Sequence, residues 1–363
     1  MSYAQNLRAR VRLPAEWERQ AAVMLTWPHG QGDWGVYLDP AHGAFVELAA
    51  AITRFEPLVI TCYDEAHQRR IEQDLRSRGV PLEQVSFVLC PSNDVWARDH
   101  GPITVYQDGA LPGLFDFTFN GWGGKFDAEL DNQINRRLHA AGVFGSIDCR
   151  RINWVLEGGS IDSDGQGSIL TTRRCLLAET RNPGMTEQHV EMQLRDRLGA
   201  QRILWLEHGA LEGDDTDSHV DMLARFTDAA TIVYQRCDDP ADQNYPELHA
   251  MEAELAELRT PKGQPYRLLA LPWPKPAHAP DGHRLPLSYA NFLIVNGAVI
   301  VPQYNDEADE KALAVLAEAM PEREIVGVPA LPLIVQHGSV HCVSMQLPAG
   351  VELPLLGKTL SAA

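Results

Sequence analysis

The feature that most limits how this chain can fold is a unit that recurs along it. A short apolar run meets a turn bearing Asp or Gly and returns as a second apolar run, followed by a helix and one more strand. Apolar runs broken by Asp or Gly read as hairpins, and apolar residues at helical spacing read as amphipathic helix. One copy holds Ile103–Tyr106, the turn Gln107-Asp108-Gly109 and a helix near Ala128–Ala141. The next holds Gly159–Asp162, Asp164-Gly165, Ser168–Thr172, a helix near Glu187–Leu198 and the strand Ile203–Leu206. A further copy holds Val220–Phe226, Asp228, Thr231–Gln235, a helix near Pro246–Leu258 and Tyr266–Leu271. The last holds Asn291–Val295, Asn296-Gly297, Ala298–Gln303, a helix near Glu307–Ala319 and Glu324–Val328. The opening elements Ala22–Trp27, Ala41–Phe55, Leu58–Cys62, Asp64–Gly79 and Val85–Cys90 form a split copy, completed by the C-terminal run Val343–Leu347. Such self-similarity predicts a closed radial α/β array, with the last strand pairing the first so that no edge is left open. One catalytic domain spanning residues 1–363 is expected.

Composition narrows the partners. Hydrophobic residues are 45% and charged residues 22%, the balance of a soluble globular protein. The formal net charge is -18, which repels phosphate backbones and argues against nucleic acid. The same field favours small cations. The N-terminal Met1–Arg10 has no apolar stretch of the kind a secretory signal needs. The run Phe292–Val301 is broken by Asn296 and Gly297 and is too short to span a bilayer, so no membrane partner is expected. Six cysteines lie far apart with no CxxC pair, which points to a reducing, cytoplasmic setting. A homodimer is expected from base rates alone.

The polar clusters fall at matching places in the repeat. They are Asn93–Pro102 (NDVWARDHGP), Leu156–Ser160 (LEGGS), Asp214–Asp221 (DDTDSHVD) and His337–Cys342 (HGSVHC). Equivalent positions in a ring converge on its axis, so Asp99, Glu157, His219, Asp221 and Cys342 would share one pocket. A thiolate is a nucleophile, a neighbouring histidine moves its protons, and a carboxylate behind the histidine orients it. Two further carboxylates would repel a developing oxyanion, but they suit a cationic substrate. A guanidinium is flat, permanently charged and rich in N–H donors, and paired carboxylates and tryptophan faces can hold it.

The ordered motifs NDVWARDHGP, FNGWGG, LEGGSIDSDGQGS, DDTDSHVD and GSVHC resemble the agmatine deiminase and bacterial peptidylarginine deiminase family of guanidine-modifying, pentein-fold enzymes. The resemblance runs from about Trp27 to Pro348 and implies a five-bladed α/β propeller of ββαβ-type units around a central active site. It implies Cys342 as nucleophile, His219 as general acid and base, and Glu157 as the group orienting His219. It assigns the guanidinium grip to Asp99 and Asp221, and the pocket lining to Trp96 and Trp122. The implied reaction deiminates agmatine to N-carbamoylputrescine and ammonia through a covalent thiouronium, with no metal and no cofactor. Peptidyl-arginine or another alkylguanidine is the alternative substrate. The departures are Ser218 for a usual Gly, Met222 and Ser339 for usual Asn, Met345 for a usual Gln, and a shorter stretch between Leu271 and Ser288. They bear on the substrate tail.

Other readings are weaker. His337 and His341 are spaced like metal ligands but lack a second cysteine pair. Asp162–Gly167 opens like a calcium loop, but the twelfth position is Arg173, so a polar hairpin turn is expected. A metal-dependent hydrolase would use His219, Asp217 and Asp221, and a silent guanidine-binding protein would not need Cys342. His219 and Asp221 flank Val220 and are expected on one face of a strand. Cys62, Cys90, Cys149, Cys175 and Cys237 read as ordinary core residues.

Overall fold

The structure is a computed structural model that describes residues 11–362 apart from Ala110; the Met1–Arg10 segment read for a signal lies outside the described residues. Strands among the described residues form five sheets, matching the split copy plus four. The first sheet runs in the order Ser344–Pro348, Gln20–Thr26, Leu58–Cys62, Val85–Leu89, Thr359–Ser361. The second holds Val11–Arg12, Ile103–Gln107, Leu111–Thr118 and Cys149–Val155. The third holds Ile161–Ser163, Ser168–Thr172 and Arg202–Leu206, and the fourth Ala224–Asp228, Thr231–Gln235 and Arg267–Leu271. The fifth holds Leu293–Val295, Ala298–Gln303 and Glu324–Pro329. In the third, fourth and fifth sheets the middle strand pairs antiparallel with its hairpin partner and parallel with the strand after the helix. That is the ββαβ unit read from the sequence.

The expected seam is present. Ser344–Pro348 lies antiparallel to Gln20–Thr26, with Met345 opposite Met24 and Leu347 opposite Ala22. Two strand pairings had no counterpart in the sequence reading. Val11–Arg12 pairs with the end of Ile103–Gln107, and Thr359–Ser361 adds in parallel beside Val85–Leu89. Both are too short to carry a periodic signal.

Helices cover the sheets for ordinary reasons. Leu38–Ile52 buries Ala41, Phe45, Leu48, Ala49 and Ile52, a stripe at helical spacing. Glu65–Arg78 starts where Asp64 Oδ1 accepts from His67 N at 2.8 Å and stops at Gly79, φ 85°.

The strands carrying the site begin later than expected, and the reason is functional. Gly158–Ser160 and Val220–Met222 are single turns of 3₁₀ helix that precede Ile161–Ser163 and Ala224–Asp228. The expectation of His219 and Asp221 on one strand face is therefore corrected: a turn, not alternation, aims them. Ala97–His100 packs on Gly158–Ser160, which packs on Val220–Met222, and Ala97–His100 also meets Ser344–Pro348. These four segments meet at the centre of the fold.

Leu347 is fully buried in the seam, in a cluster with Ala22, Met24 and Leu114. Leu347→Ala is expected to lower unfolding free energy by about 2–5 kcal/mol. Leu111→Ala, at a side chain 70% exposed, should stay within about 0.5 kcal/mol. Denaturant titration of both variants checks this.

Candidate active site

Each site residue arrives on a short, tightly constrained segment. Asp99 sits in the four-residue helix Ala97–His100, whose register is held by Arg98 N donating to Cys342 O at 3.1 Å. Trp122 lies in Gly121–Gly124 with a left-handed backbone, φ 54° and ψ 45°, between two glycines of positive φ. Asn120 Oδ1 stabilises that loop by accepting from Gly123 N at 2.9 Å. The loop aims the indole so that Trp122 Nε1 donates to Asp99 Oδ2 at 2.9 Å. Asp217 and Ser218 are consecutive left-handed residues, φ 64° and 69°, just before His219. Glycine takes that conformation without strain, which explains why the resemblance leads one to expect Gly at 218.

The expected residues come together. Asp99, Glu157, His219, Asp221 and Cys342 are all buried. His219 Nδ1 lies 3.6 Å from Asp99 Oδ1, and Cys342 Sγ lies 3.6 Å from Asp221 Oδ2. The clearest measure of convergence is the crowding around Gly159. A Cβ built on Gly159 would stand 2.7 Å from His219 Nδ1, 2.9 Å from Asp99 Oδ1 and 3.0 Å from Asp221 Oδ2. The two acids and the imidazole thus form a cradle that closes tightly on Gly159 and leaves no room for a side chain, with Asp99 Oδ1 accepting from Gly159 N at 3.1 Å. Asp221 Oδ1 is buried with no hydrogen-bond partner among the described residues, so it is an acceptor left for a ligand.

Asp99 and Cys342 also face a cleft whose wall includes Trp96, Trp122, Met222 and His337. Trp96 and Trp122 are both wall and core: they are 5% and 7% exposed and meet edge to face. Trp96 Nε1 is tied to Asp94 Oδ2 at 2.9 Å. Of the departures, Met222 lines this cleft. Met345 instead lies beside Arg98 on a second cavity, of about 430 Å³, and Ser339 is buried against the Tyr304 hydroxyl.

Charge follows from burial. Desolvation pushes Asp99 up to about 6, helped by Asp221 and Glu157. Burial and the two aspartates carry the Cys342 thiol well above its ordinary value. Burial alone would lower His219, but Asp99, Cys175 and Glu157 outweigh it and set it well above the usual imidazole range. The unliganded site therefore holds a neutral thiol, a protonated histidine and a surplus of acid, the state that a cation would relieve.

Glu157 is not hydrogen-bonded to His219. The Nε2–Oε2 distance is 4.0 Å, and both carboxylate oxygens accept from Arg181 Nε, at 3.1 and 3.3 Å. Its influence on His219 is electrostatic. Several supporting residues escaped the sequence reading. Cys175, read as plain core, stands with Glu157 against the His219 ring, and their ligand atoms lie within 4.8 Å of one another, close enough to hold a metal ion. Asn291 Nδ2 donates to Cys342 Sγ at 3.1 Å, while its Oδ1 accepts from the backbone N–H of His341 and Cys342. Behind the site, His341 bridges Asp221 Oδ2 and Glu16 Oε1, at 2.8 Å each, and Glu16 pairs with Arg98 and Arg225. Only His341 carried any signal, and its spacing from His337 suggested the wrong partner.

Comparison with known proteins gives a consistent picture. The profile of the Porphyromonas-type peptidyl-arginine deiminase family matches residues 12–348. The agmatine deiminase of Pseudomonas syringae pv. tomato is 36% identical over 93% of this chain and 95% of its own length. A substrate-bound variant of the C. jejuni agmatine deiminase superposes with a TM-score of 0.87 at 35% identity, covering 97% of this chain and 100% of that one. A Porphyromonas gingivalis protein provisionally named an arginine deiminase superposes with a TM-score of 0.86 at 47% identity, covering 94% and 99%.

Gly159 is not in the left-handed region, so Gly159→Ala is compatible with the backbone, but its methyl would come within 3.0 Å of His219 Nδ1, Asp99 Oδ1 and Asp221 Oδ2 and force them apart. The variant is expected to keep its fold by circular dichroism and to lose roughly 10²-fold or more in kcat/KM toward guanidines.

Proposed function

The chain belongs to the Porphyromonas-type peptidyl-arginine deiminase family, and on that premise we propose that it hydrolyses the guanidinium of agmatine to N-carbamoylputrescine and ammonia. The observation that carries this reading is the convergence of Asp99, Asp221 and His219 around Gly159, with the Cys342 sulfur next to Asp221 and the buried Asp221 Oδ1 left without a partner among the described residues. Carboxylates facing a buried space make an unfavourable site for anions or neutral groups and a favourable one for a flat cation with N–H donors on several edges.

The chemistry follows from the charges. Guanidinium binding neutralises the field of Asp99 and Asp221, which lowers the Cys342 thiol, and its proton passes to solvent water because His219 already carries one. Asn291 Nδ2 then has a sulfur anion to donate to. The thiolate attacks the guanidinium carbon, which the two aspartates hold in place. Protonated His219 passes its proton to one nitrogen as the C–N bond breaks, and ammonia leaves. The thiouronium on Cys342 remains. His219, now neutral, takes a proton from water as its oxygen attacks the same carbon. The C–S bond breaks as the hydroxyl proton of the adduct passes to the departing sulfur, which frees the neutral ureido product and restores the Cys342 thiol. The setting we propose is a reducing cytoplasm: all six cysteines are free, and no helix among the described residues is long and apolar enough to cross a membrane.

A second reading keeps the chemistry and changes the tail. The 47% identity to a protein provisionally named an arginine deiminase exceeds the 36% to agmatine deiminases, and Met222 lines the cleft. The deciding experiment measures ureido product from agmatine, free arginine and an arginyl peptide. Agmatine is expected to turn over with the highest kcat/KM; product from the peptide alone would overturn the substrate.

Cys342→Ala is expected to reduce turnover of every guanidine by roughly 10⁴-fold or more, with the fold retained. The acid limb of kcat/KM is expected near pH 6. Asp99 is raised to about 6 in the free protein, so falling pH neutralises it there and removes one of two charges that capture the substrate. Steady-state rates between pH 4 and 9 check the sign.

A further inference from the structure

A pair of histidines, of which His337 lines the cleft, takes no part in the reaction proposed above. His337 lines the cleft upstream of Cys342 and sits in the left-handed region, φ 70°. His283 comes from the stretch between the fourth and fifth sheets, the segment that looks short by resemblance. Their Nε2 atoms face each other at 3.2 Å, with ring centroids 5.1 Å apart and planes at 51°. Each ring has a carboxylate near its other nitrogen. His283 Nδ1 is hydrogen-bonded to Asp281 Oδ1 at 2.5 Å, whereas His337 Nδ1 lies 3.3 Å from Asp215 Oδ2 without hydrogen-bond geometry.

A carboxylate at Nδ1 favours the tautomer with its proton on Nδ1 and leaves a lone pair on Nε2. The two Nε2 atoms lie within hydrogen-bond distance, so one ring donates an Nε2–H to the other, and a divalent ion can take the place of that proton and bind both nitrogens. Nitrogens at about 2.0–2.1 Å from one tetrahedral zinc stand roughly 3.3 Å apart, which is the separation here. The carboxylate–histidine–metal arrangement is the usual outer support of such an ion. Imidazole nitrogens select zinc, copper or nickel over calcium or magnesium.

We propose that His283 and His337 form a binding site for a divalent transition ion of the zinc class. The ion bridges the segment before the fifth sheet to the loop that leads to Cys342, and it narrows the entrance of the cleft. Water fills the remaining coordination positions. The competing location is the buried trio Glu157, Cys175 and His219, but there Arg181 already engages the carboxylate.

The test uses the full-length Cys342→Ala protein, which removes the nucleophile as a ligand. Zinc is titrated by calorimetry and cobalt by absorbance. The expected result is one bound ion, a loss of about tenfold or more in affinity for both His283→Asn and His337→Asn, and no thiolate-to-cobalt band. Unchanged affinity in His283→Asn, a thiolate band that vanishes with Cys175→Ser, or no binding at all would overturn the site. His283 is 42% exposed, so that variant stays informative even if His337→Asn misfolds. In the protein with Cys342 intact, zinc is expected to slow turnover reversibly, and His283→Asn is expected to resist it. Equal inhibition of that variant would overturn the effect on the entrance.

Discussion

Glu16 enters the centre of the fold between Arg98 and Arg225, with His341 on its remaining side, and the site depends on that buried knot of charge. An unpaired charge in such a place is costly, and removing one partner of a buried ion pair commonly costs about 3–5 kcal/mol. Burial alone would raise Glu16, yet Arg225, His341 and Arg98 hold it well below the usual carboxylate range. His341 carries this order forward, because its other ring nitrogen meets Asp221, one of the groups facing the cradle. The position of one acid in the cleft is therefore set by an acid from the other end of the chain, near the N-terminus.

The same accounting explains why the cleft is poised for a cation. The arginines at the centre are engaged away from the cradle: Arg225 by Glu16 and Asp162, Arg181 by Glu157 and Asp217. Asp99 is the less compensated of the two acids, so burial drives it up to about 6, whereas His341, His219 and Arg225 outweigh burial and hold Asp221 below the usual carboxylate value; burial and both acids carry the neighbouring thiol well above its ordinary value. A nucleophile that stays protonated until the right charge arrives is protected from idle reactivity. Glycine at 159 is as much a part of this design as the acids, since any side chain there would collide with Asp99, His219 and Asp221.

Around this centre the fold behaves as a frame. Each of the five sheets contains an antiparallel strand pair extended by a parallel strand, and the seam between Ser344–Pro348 and Gln20–Thr26 joins segments from near the two ends of the chain next to the nucleophile. The strained residues are concentrated at the inner turns: Trp122, Asp217, Ser218 and His337 all have positive φ. Strain of about 1–3 kcal/mol per residue persists only where the surroundings over-determine it, as packing on neighbouring turns does here.

The repeat, its five copies and the residues facing the cradle were legible in the sequence because each leaves a local mark: a periodicity, an Asp or Gly turn, a short polar motif. The ordered motifs also carried the resemblance to the family. What the sequence could not show was anything that depends on which distant segments meet. Glu16, Arg98 and Arg225 look like ordinary charged residues until folding places them on one axis, Cys175 looks like core until the ring of His219 lies beside it, and His337 finds His283 rather than His341. Hydrophobic period and turn chemistry act over a few residues and can be read in order along the chain, whereas electrostatic partners are chosen by distance in space, which only the closed fold defines.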